Sequence, residues 1–168
     1  PNGAGKTTAS APILRDIFRI SEFVNADVIA QGLSGFAPEH SALEAGRIML
    51  QRLQDLADAG ASFSFETTLA SRSFAPWLRH RLDEGYRVHL FYFWLPSADL
   101  AIARVAQRVR LGGHYVDDDT IRRRYTRGIA NFFQLYRPIC TTWRFYDNSQ
   151  PLQRSLIARG SGRIDWHV

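Results

Sequence analysis

The sequence predicts an α/β fold in three layers, with a mostly parallel β-sheet between helices. Apolar segments of strand length alternate along the chain with longer segments that have a helical period. One of the short segments, residues 88–95, is apolar almost throughout, as expected of a parallel strand buried on both faces. The chain also opens on a glycine-rich turn followed by a helical pattern, which is typical of doubly wound sheets.

The predicted elements alternate in type, and several of their ends carry chemical signals. Gly60 and Gly85 end the second and third helices, Ser97 caps the fourth, and Pro12 is expected to distort the first. The predicted helices are residues 6–18, 39–59, 72–84, 97–111 and 118–136. The predicted strands are residues 22–26, 62–66, 88–95, 143–147 and 155–159.

Length and composition predict one ordered domain that covers residues 1–168. Hydrophobic residues make up 45% of the chain and charged residues 22%, which excludes a disordered protein. The single cysteine, Cys140, excludes a disulfide framework and the cysteine-based zinc sites. The longest apolar run is about seven residues, against roughly 20 for a membrane span. We therefore expect a cytoplasmic protein with no membrane partner.

The positive charge of the chain is concentrated in one segment. The net charge is +5, and all of the 21 basic residues except Lys6 are arginine. Residues 104–127 combine arginines at 104, 108, 110, 122, 123, 124 and 127 with aspartates at 117, 118 and 119, a local charge of +4. Such a patch suits either nucleic acid or a phosphate-rich small molecule.

The first seven residues, PNGAGKT, match the phosphate-binding loop G-x-x-x-x-G-K-[ST] from its second position onward. Gly3 and Gly5 allow successive backbone N–H groups to approach phosphates closely. Lys6 reaches the β- and γ-phosphates, and the hydroxyl of Thr7 is a ligand for Mg²⁺. The loop therefore predicts a P-loop protein that binds a nucleoside triphosphate with Mg²⁺.

The first glycine of this motif, and the strand that usually precedes it, would lie before Pro1. We therefore expect residues 1–168 to form a P-loop domain without its first strand. The expected consequences are a gap in the sheet and weak ATP binding by these residues alone.

The residues directly after the apolar strand at 88–95 indicate the type of reaction. Motor and transporter ATPases carry an acidic residue at the tip of such a strand, whereas this one runs into Pro96 and Ser97. A small phosphotransferase is therefore favoured over a mechanical ATPase.

Two carboxylates follow predicted parallel strands, at the edge where ligands bind in such sheets. Asp27 follows the first of these strands and Glu66 follows the second, with Thr67 and Thr68 directly after it. Either carboxylate is suited to accept the proton of an acceptor hydroxyl. The structural alternatives are an N-cap role for Asp27 and an ion pair between Glu66 and an arginine.

The basic segment at residues 104–127 is predicted to form a mobile, arginine-rich lid. Arg104 and Arg108 lie four residues apart on one helical face, and Gly112-Gly113 provides a hinge. Arginines that close over a phosphoryl group stabilise its spread negative charge. His114 is predicted either to orient a phosphate or to cap a turn.

Two other functions are consistent with the sequence. Four aromatic residues near the patch (Tyr125, Phe132, Phe133 and Tyr136) would suit nucleic acid, although their helical spacing favours a place in the core. The incomplete phosphate loop would also fit an inactive nucleotide-binding remnant.

The combination of these motifs resembles the zeta-toxin family of P-loop kinases, in particular its short bacterial members. The matching segments are PNGAGKTT at 1–8, FVNADVIA at 23–30, FETTLA at 65–70, RVRLGGH at 108–114 and IRRRY at 121–125. Residues 146–149, YDNS, resemble the family's late strand near the adenine.

The resemblance implies ATP- and Mg²⁺-dependent phosphorylation of a hydroxyl on a UDP-amino sugar such as UDP-N-acetylglucosamine. It implies Asp27 as catalytic base, with Lys6 and the lid arginines Arg104, Arg108 and Arg124 also catalytic. The acceptor-binding residues implied are Asn25, Glu66, Thr68 and His114. The ATP-binding residues implied are Asn2, Gly3, Ala4, Gly5, Lys6, Thr7, Thr8 and Asn148, of which Thr7 also binds the metal.

The resemblance has one departure and one further implication. The archetypal toxins have an arginine two residues after the acceptor-site threonine, where this chain has Ala70, with Arg72 two positions further on. The resemblance also implies an antitoxin protein as a partner, and nucleic acid is not expected as one.

Overall fold

The computed structural model describes residues 1–7, 18–34, 41–150 and 154–166. The chain is a mixed α/β protein, as predicted, and it divides into two compact units. One unit consists of Lys6–Thr67 and Arg108–Tyr115, and the other of Pro1–Gly5, Thr68–Gln107 and Val116–Val168. None of the helices in the described part of the chain is long and apolar enough to span a membrane.

The first unit is built on a parallel pair of short strands. Strands β1 (Glu22–Val24) and β2 (Phe63–Phe65) pair in parallel, with Phe23 opposite Ser64. Helix α1 (Ala26–Leu33) follows β1, and helix α2 (Ala42–Asp58) packs against α1. The buried residues of α2 recur at a helical period and form one apolar face: Ala45, Met49, Leu53, Leu56 and Ala57.

The second unit contains a four-stranded sheet in the order β3-β4-β5-β6. Its strands are β3 (His89–Trp94), β4 (Thr142–Asp147), β5 (Ser155–Ser161) and β6 (Ile164–Trp166). The β3–β4 pair is parallel, whereas β4–β5 and β5–β6 are antiparallel. The described strands therefore do not confirm a mostly parallel sheet, because β5 and β6 return as a hairpin.

Three helices and an aromatic core complete the second unit. The helices are α3 (Phe74–Asp83), α4 (Ala98–Arg110, whose last three residues belong to the other unit) and α5 (Asp118–Asn131). Phe132 is fully buried, with its ring centroid 5.0 Å from Tyr92, 5.1 Å from Phe145 and 5.9 Å from Trp143. This cluster lies between the end of α5 and the β3–β4 pair.

The element boundaries agree with most of the predictions and correct a few. Ser97 caps α4 through its hydroxyl, which accepts a hydrogen bond from the Leu100 N–H at 3.1 Å. The predicted helix at 118–136 is α-helical only to Asn131 and continues as a π-helical turn, Phe132–Tyr136. Helix α1 and strand β6 were not predicted. Most of the predicted first helix, with Pro12, lies outside the described residues.

Candidate nucleotide site

The glycine loop, Pro1–Gly5, belongs to the unit that contains β3 and β4. Gly3 and Gly5 have φ angles of 68° and 67°, in the left-handed region that favours glycine. A Cβ atom at Gly3 would lie 2.6 Å from the carbonyl oxygen of Ala101, so a side chain cannot be accommodated there. The turn therefore favours glycine at both positions predicted from the motif, and packing against α4 also requires it at Gly3.

Asn148 fixes the middle of the glycine loop. Its side-chain Nδ2 donates a hydrogen bond to the carbonyl oxygen of Ala4 at 2.6 Å, and Asn148 is itself buried. Its backbone N–H donates to the carbonyl of Trp94 at 3.0 Å, directly beyond the β3–β4 pairing. Asn2, another residue predicted to bind nucleotide, is buried in the same unit. Asn148 therefore links the end of β4 to the predicted nucleotide loop.

The guanidinium of Arg104 donates hydrogen bonds to backbone carbonyls. Its two terminal nitrogens donate hydrogen bonds to the carbonyl oxygens of Asn148, at 2.8 Å, and of Ser149, at 2.6 Å. The guanidinium thus holds the turn after β4 through two hydrogen bonds, one from each terminal nitrogen. These bonds give no support to the prediction that Arg104 contacts a transferring phosphoryl group.

In the other unit, the carboxylate of Glu66 contacts the side chains of both Lys6 and Thr7. Glu66 Oε1 lies 3.2 Å from Lys6 Nζ, and Glu66 Oε2 accepts a 2.7 Å hydrogen bond from the Thr7 hydroxyl. Asn25 Nδ2 also donates to Oε2, at 3.2 Å. The Glu66 N–H bonds to the Val24 carbonyl at 3.1 Å and so continues the β1–β2 pairing. The structural alternative, an ion pair of Glu66 with an arginine, is not what the described residues show, because the partner is Lys6.

Asn25 and Asp27 have different roles at the N-terminus of α1. Asn25 is the N-cap, since its Oδ1 accepts hydrogen bonds from the N–H groups of Asp27 and Val28. The structural alternative of Asp27 as the N-cap is therefore wrong. Asp27 lies in the first turn of α1 and is exposed, so its carboxylate is accessible to a substrate.

Thr68 begins a tightly held loop in the second unit. The Thr68 hydroxyl accepts a hydrogen bond from the Ala70 N–H at 3.4 Å, and Leu69 has a positive φ of 58°. The Asn131 side chain donates to the carbonyls of Leu69, at 2.8 Å, and Ala70, at 3.3 Å. This loop carries the position where the archetypal toxins have an arginine, and α5 holds it in place.

The predicted lid is divided between the two units. In one, Arg108 donates to the His114 carbonyl at 2.7 Å, which closes the Gly112-Gly113 turn. The Arg108 Nε and His114 Nδ1 atoms are buried and have no hydrogen-bond partner within the described part of the chain. In the other unit, Arg122 pairs with Asp99 at 2.7 Å, and Arg124 is half-buried in α5.

The aromatic residues near the basic patch are mainly structural. Phe132 and Tyr136 are buried in the core, and the Tyr136 hydroxyl donates to the Ser71 carbonyl at 2.5 Å. The Tyr125 hydroxyl donates to the Leu95 carbonyl at 2.7 Å, and burial raises the pKa of Tyr125. Phe133 is 46% exposed, which leaves one of the four rings available for stacking on a base. The core placement predicted from their spacing is thus confirmed for Phe132 and Tyr136.

The Thr7 hydroxyl offers an oxygen ligand to a metal ion, and the Glu66 carboxylate lies beside it. Within the described residues no group of three or more His, Cys, Asp or Glu side chains could hold a metal by itself. A hydroxyl beside a carboxylate fits Mg²⁺, which takes few protein ligands and otherwise keeps water or phosphate oxygens. The Thr7 hydroxyl therefore fits a magnesium ion that is shared with a bound triphosphate.

The comparison with protein families finds a match over most of the chain. The model of the zeta toxin family matches residues 2–148. The chain belongs to the zeta toxin family. Membership indicates a P-loop kinase-like phosphotransferase that binds a nucleotide. This zeta toxin chain is also similar to an uncharacterized protein of Haemophilus influenzae, with 27% identity over 124 residues, which are 74% of this chain and 86% of that protein.

All of the predicted site residues lie within the matched span of the zeta toxin family. Lys6, Thr7, Asn25 and Glu66 are brought together in one unit, and Ala4, Arg104 and Asn148 in the other. Thr8 lies outside the described residues. The N-cap role of Asn25 was missed, although an asparagine before an acidic first turn is a signal that predicts it.

Proposed function

We propose that this chain is an ATP- and Mg²⁺-dependent kinase that phosphorylates a hydroxyl of a UDP-amino sugar such as UDP-N-acetylglucosamine. The observation that carries the proposal is the convergence of Lys6, Thr7 and Asn25 on the Glu66 carboxylate. This cluster joins the cation and hydroxyl of the phosphate loop to the ends of β1 and β2, beside the helix that bears Asp27.

Each residue of the cluster has a chemical task in this proposal. Lys6 binds the β- and γ-phosphates, and Thr7 is a magnesium ligand. Mg²⁺, when bound, neutralises negative charge on the phosphate oxygens. Glu66 and Asn25, together with Thr68 and His114, bind the acceptor. The loop glycines offer N–H groups to the phosphates. Asn2, Ala4, Thr8 and Asn148 are the other residues proposed to bind ATP.

The exposed carboxylate of Asp27 is the proposed catalytic base. The hydroxyl proton passes to Asp27 as the acceptor oxygen bonds to the γ-phosphorus and ADP leaves. Arg108 and Arg124 are proposed to stabilise the charge that spreads over the transferred group. The Nε–H of Arg108 is buried and has no hydrogen-bond acceptor among the described residues. An oxygen of the transferred phosphoryl group would accept a hydrogen bond from it.

The setting of the reaction is part of the proposal. We place the kinase in the cytoplasm, where nucleotide sugars and ATP are both available, and an antitoxin protein is a proposed partner. Nucleic acid is not proposed as a partner, because Phe132 and Tyr136 are buried in the core and cannot stack on bases.

The direct experiment is a transfer assay with γ-labelled ATP and Mg²⁺. The acceptors are UDP-N-acetylglucosamine and UDP-N-acetylgalactosamine, with UDP-glucose, free N-acetylglucosamine and a short RNA for comparison. We expect label on the UDP-amino sugars and little on the others. ATP turnover without transfer to any UDP-amino sugar would reject the proposed acceptor. Transfer of label to the RNA would indicate that the acceptor is a nucleic acid instead.

A further inference from the structure

We infer that Arg104 and Asn148 are positioning residues that hold the glycine loop in its phosphate-binding form. The inference rests on the proposed nucleotide site and changes the role predicted for Arg104 from catalytic to positioning. It also changes the role predicted for Asn148, from contact with the nucleotide to support of the loop that binds it.

The first link runs from the sheet to the loop. Asn148 directly follows β4, and its N–H bond to Trp94 continues the β3–β4 pairing, so its backbone is fixed by the sheet. From this position its Nδ2 reaches the Ala4 carbonyl at 2.6 Å in a buried environment. A buried carbonyl that loses its donor is costly, so the amide of Asn148 restrains the loop strongly.

The second link runs from α4 to the same turn. The Arg104 guanidinium bonds the carbonyls of Asn148 and Ser149, at 2.8 and 2.6 Å. Hydrogen bonds from a charged donor are stronger than neutral ones, and the planar fork fixes two acceptors at once. Arg104 therefore orients the residue whose side chain holds Ala4.

Close packing leaves the loop little freedom on this side. A Cβ atom at Gly3 would lie 2.6 Å from the Ala101 carbonyl and 3.2 Å from Arg104 Cβ. A Cβ atom at Gly5 would lie 3.0 Å from Asn148 Nδ2. The loop thus fits against both positioning residues. Since phosphate binding requires the N–H groups of this loop to point at the ligand, its conformation depends on these contacts.

Asn148→Ala distinguishes loop positioning from direct contact with adenine. The measurement is the Kd for MgATP and for MgGTP by titration calorimetry. A loop that is held less firmly binds every triphosphate less well, so we expect both Kd values to rise about 10-fold together. A loss confined to ATP would show that Asn148 contacts the base and would overturn the inference. Ser149→Ala is the matched control, because Arg104 uses only the carbonyl of Ser149.

Arg104→Ala distinguishes positioning from transition-state stabilisation. We expect the Kd and the KM for ATP to rise about 5- to 10-fold, no more than in Asn148→Ala, with the KM for the acceptor nearly unchanged. Arg104→Lys should recover only part of the affinity, because an ammonium lacks the two-pronged geometry. A fall in kcat with unchanged ATP affinity, rescued by lysine, would overturn the inference. Gln107→Ala, at an exposed position of α4, is the control.

The double variant Arg104→Ala/Asn148→Ala tests whether Arg104 affects ATP binding only by orienting Asn148. We expect its loss of ATP affinity to be smaller than the product of the two single losses, because Arg104 acts through the Asn148 turn. Independent, multiplicative losses would contradict this. Faster amide exchange at residues 2–5 in either single variant is a second expected result, and unchanged exchange in both would count against the inference.

These titrations contain no acceptor, so they remain informative if no UDP-amino sugar is phosphorylated. In that case the proposed function fails and the positioning role stands on the nucleotide affinities alone. A wild-type protein that binds neither ATP nor GTP would overturn the inference itself.

Discussion

The Oε1 atom of Glu66 lies 3.2 Å from Nζ of Lys6. Glu66 directly follows β2, and Lys6 is the one lysine of the chain. Since the phosphate loop requires the same ammonium group for its nucleotide, Glu66 and the phosphates compete for Lys6. In the proposed function, the pair therefore couples acceptor binding by Glu66 to phosphate binding by Lys6.

Glu66→Gln is expected to change the two substrate affinities in opposite directions. Without the carboxylate, the acceptor loses a charged hydrogen bond, and its KM should rise about 10- to 100-fold. The affinity for ATP should stay equal or increase, because Lys6 no longer has to leave an ion pair. Steady-state kinetics for the acceptor and calorimetry for ATP measure the two effects.

The matched control for this variant is Glu22→Gln. Glu22 pairs with Arg52 at 2.8 Å in the same unit, and both side chains are about half exposed. Surface pairs of this type contribute little, so neither substrate affinity should change. A large loss of ATP affinity in Glu66→Gln would contradict the competition and would favour a role for Glu66 in binding the metal.

Gly128→Ala is expected to destabilise the protein and to disturb Thr68. A Cβ atom at this helical position would lie 2.5 Å from the Thr68 carbonyl, so α5 or the Thr68 loop must shift. We expect a loss of about 1–3 kcal/mol in the free energy of unfolding, measured with urea. Gly46→Ala in α2 is the control, since its Cβ meets nothing within 4 Å. It should raise stability by about 0.4–1 kcal/mol. Equal effects of the two substitutions would contradict the packing.

Cys140 is expected to resist thiol reagents in the folded protein. It is 4% exposed, and burial raises the pKa of its thiol to about 12. At pH 8 the reactive thiolate is therefore scarce, and the reagent has no access to it. Labelling with iodoacetamide, followed by mass spectrometry, should be slow in buffer and rapid in denaturant. Rapid, stoichiometric labelling under native conditions would contradict the buried position.

Asp117 is expected to make stability depend on pH in the acid range. Its carboxylate caps α5 by accepting the Thr120 N–H at 2.8 Å, and this hydrogen bond lowers the pKa of Asp117 below its ordinary value of 3.8. A lowered pKa in the folded state stabilises the protein above the unfolded-state pKa, and the effect is lost as the pH falls through the folded-state value.

Asp117→Asn keeps an oxygen acceptor for the cap but removes this titration. The difference in unfolding free energy between wild type and Asp117→Asn should therefore favour wild type at pH 6 and shrink as the pH falls below about 4. Urea unfolding at several pH values measures it. A difference that is constant with pH would contradict the role of the ionised cap.

The sequence predicted those features that depend on local signals. Gly60, Gly85 and Ser97 mark helix ends, and the apolar run at 88–95 contains β3, because each depends on neighbouring residues. The glycine loop was predicted from its motif, and the structure assigns Gly3 and Gly5 the left-handed backbone that the motif requires.

The sequence did not predict which distant groups meet. Arg104 bonds two carbonyls that lie 44 and 45 positions away, and a backbone carbonyl has no signature in the sequence. Glu66 and Lys6 lie 60 positions apart, so nothing in the sequence alone favoured Lys6 over an arginine as the partner of Glu66. The β5–β6 hairpin was also missed, because β6 is only three residues long and lacks an apolar run.

The most direct measurement of the central claim is phosphate transfer to UDP-N-acetylglucosamine by wild type and by Asp27→Asn. Wild type should form the phosphorylated nucleotide sugar in equal amounts with ADP. Asp27→Asn should bind ATP as wild type does but form product about 100- to 10,000-fold more slowly, because the hydroxyl proton has no acceptor. Product formed at the wild-type rate by Asp27→Asn, or ADP released by wild type without phosphorylated sugar, would contradict the account.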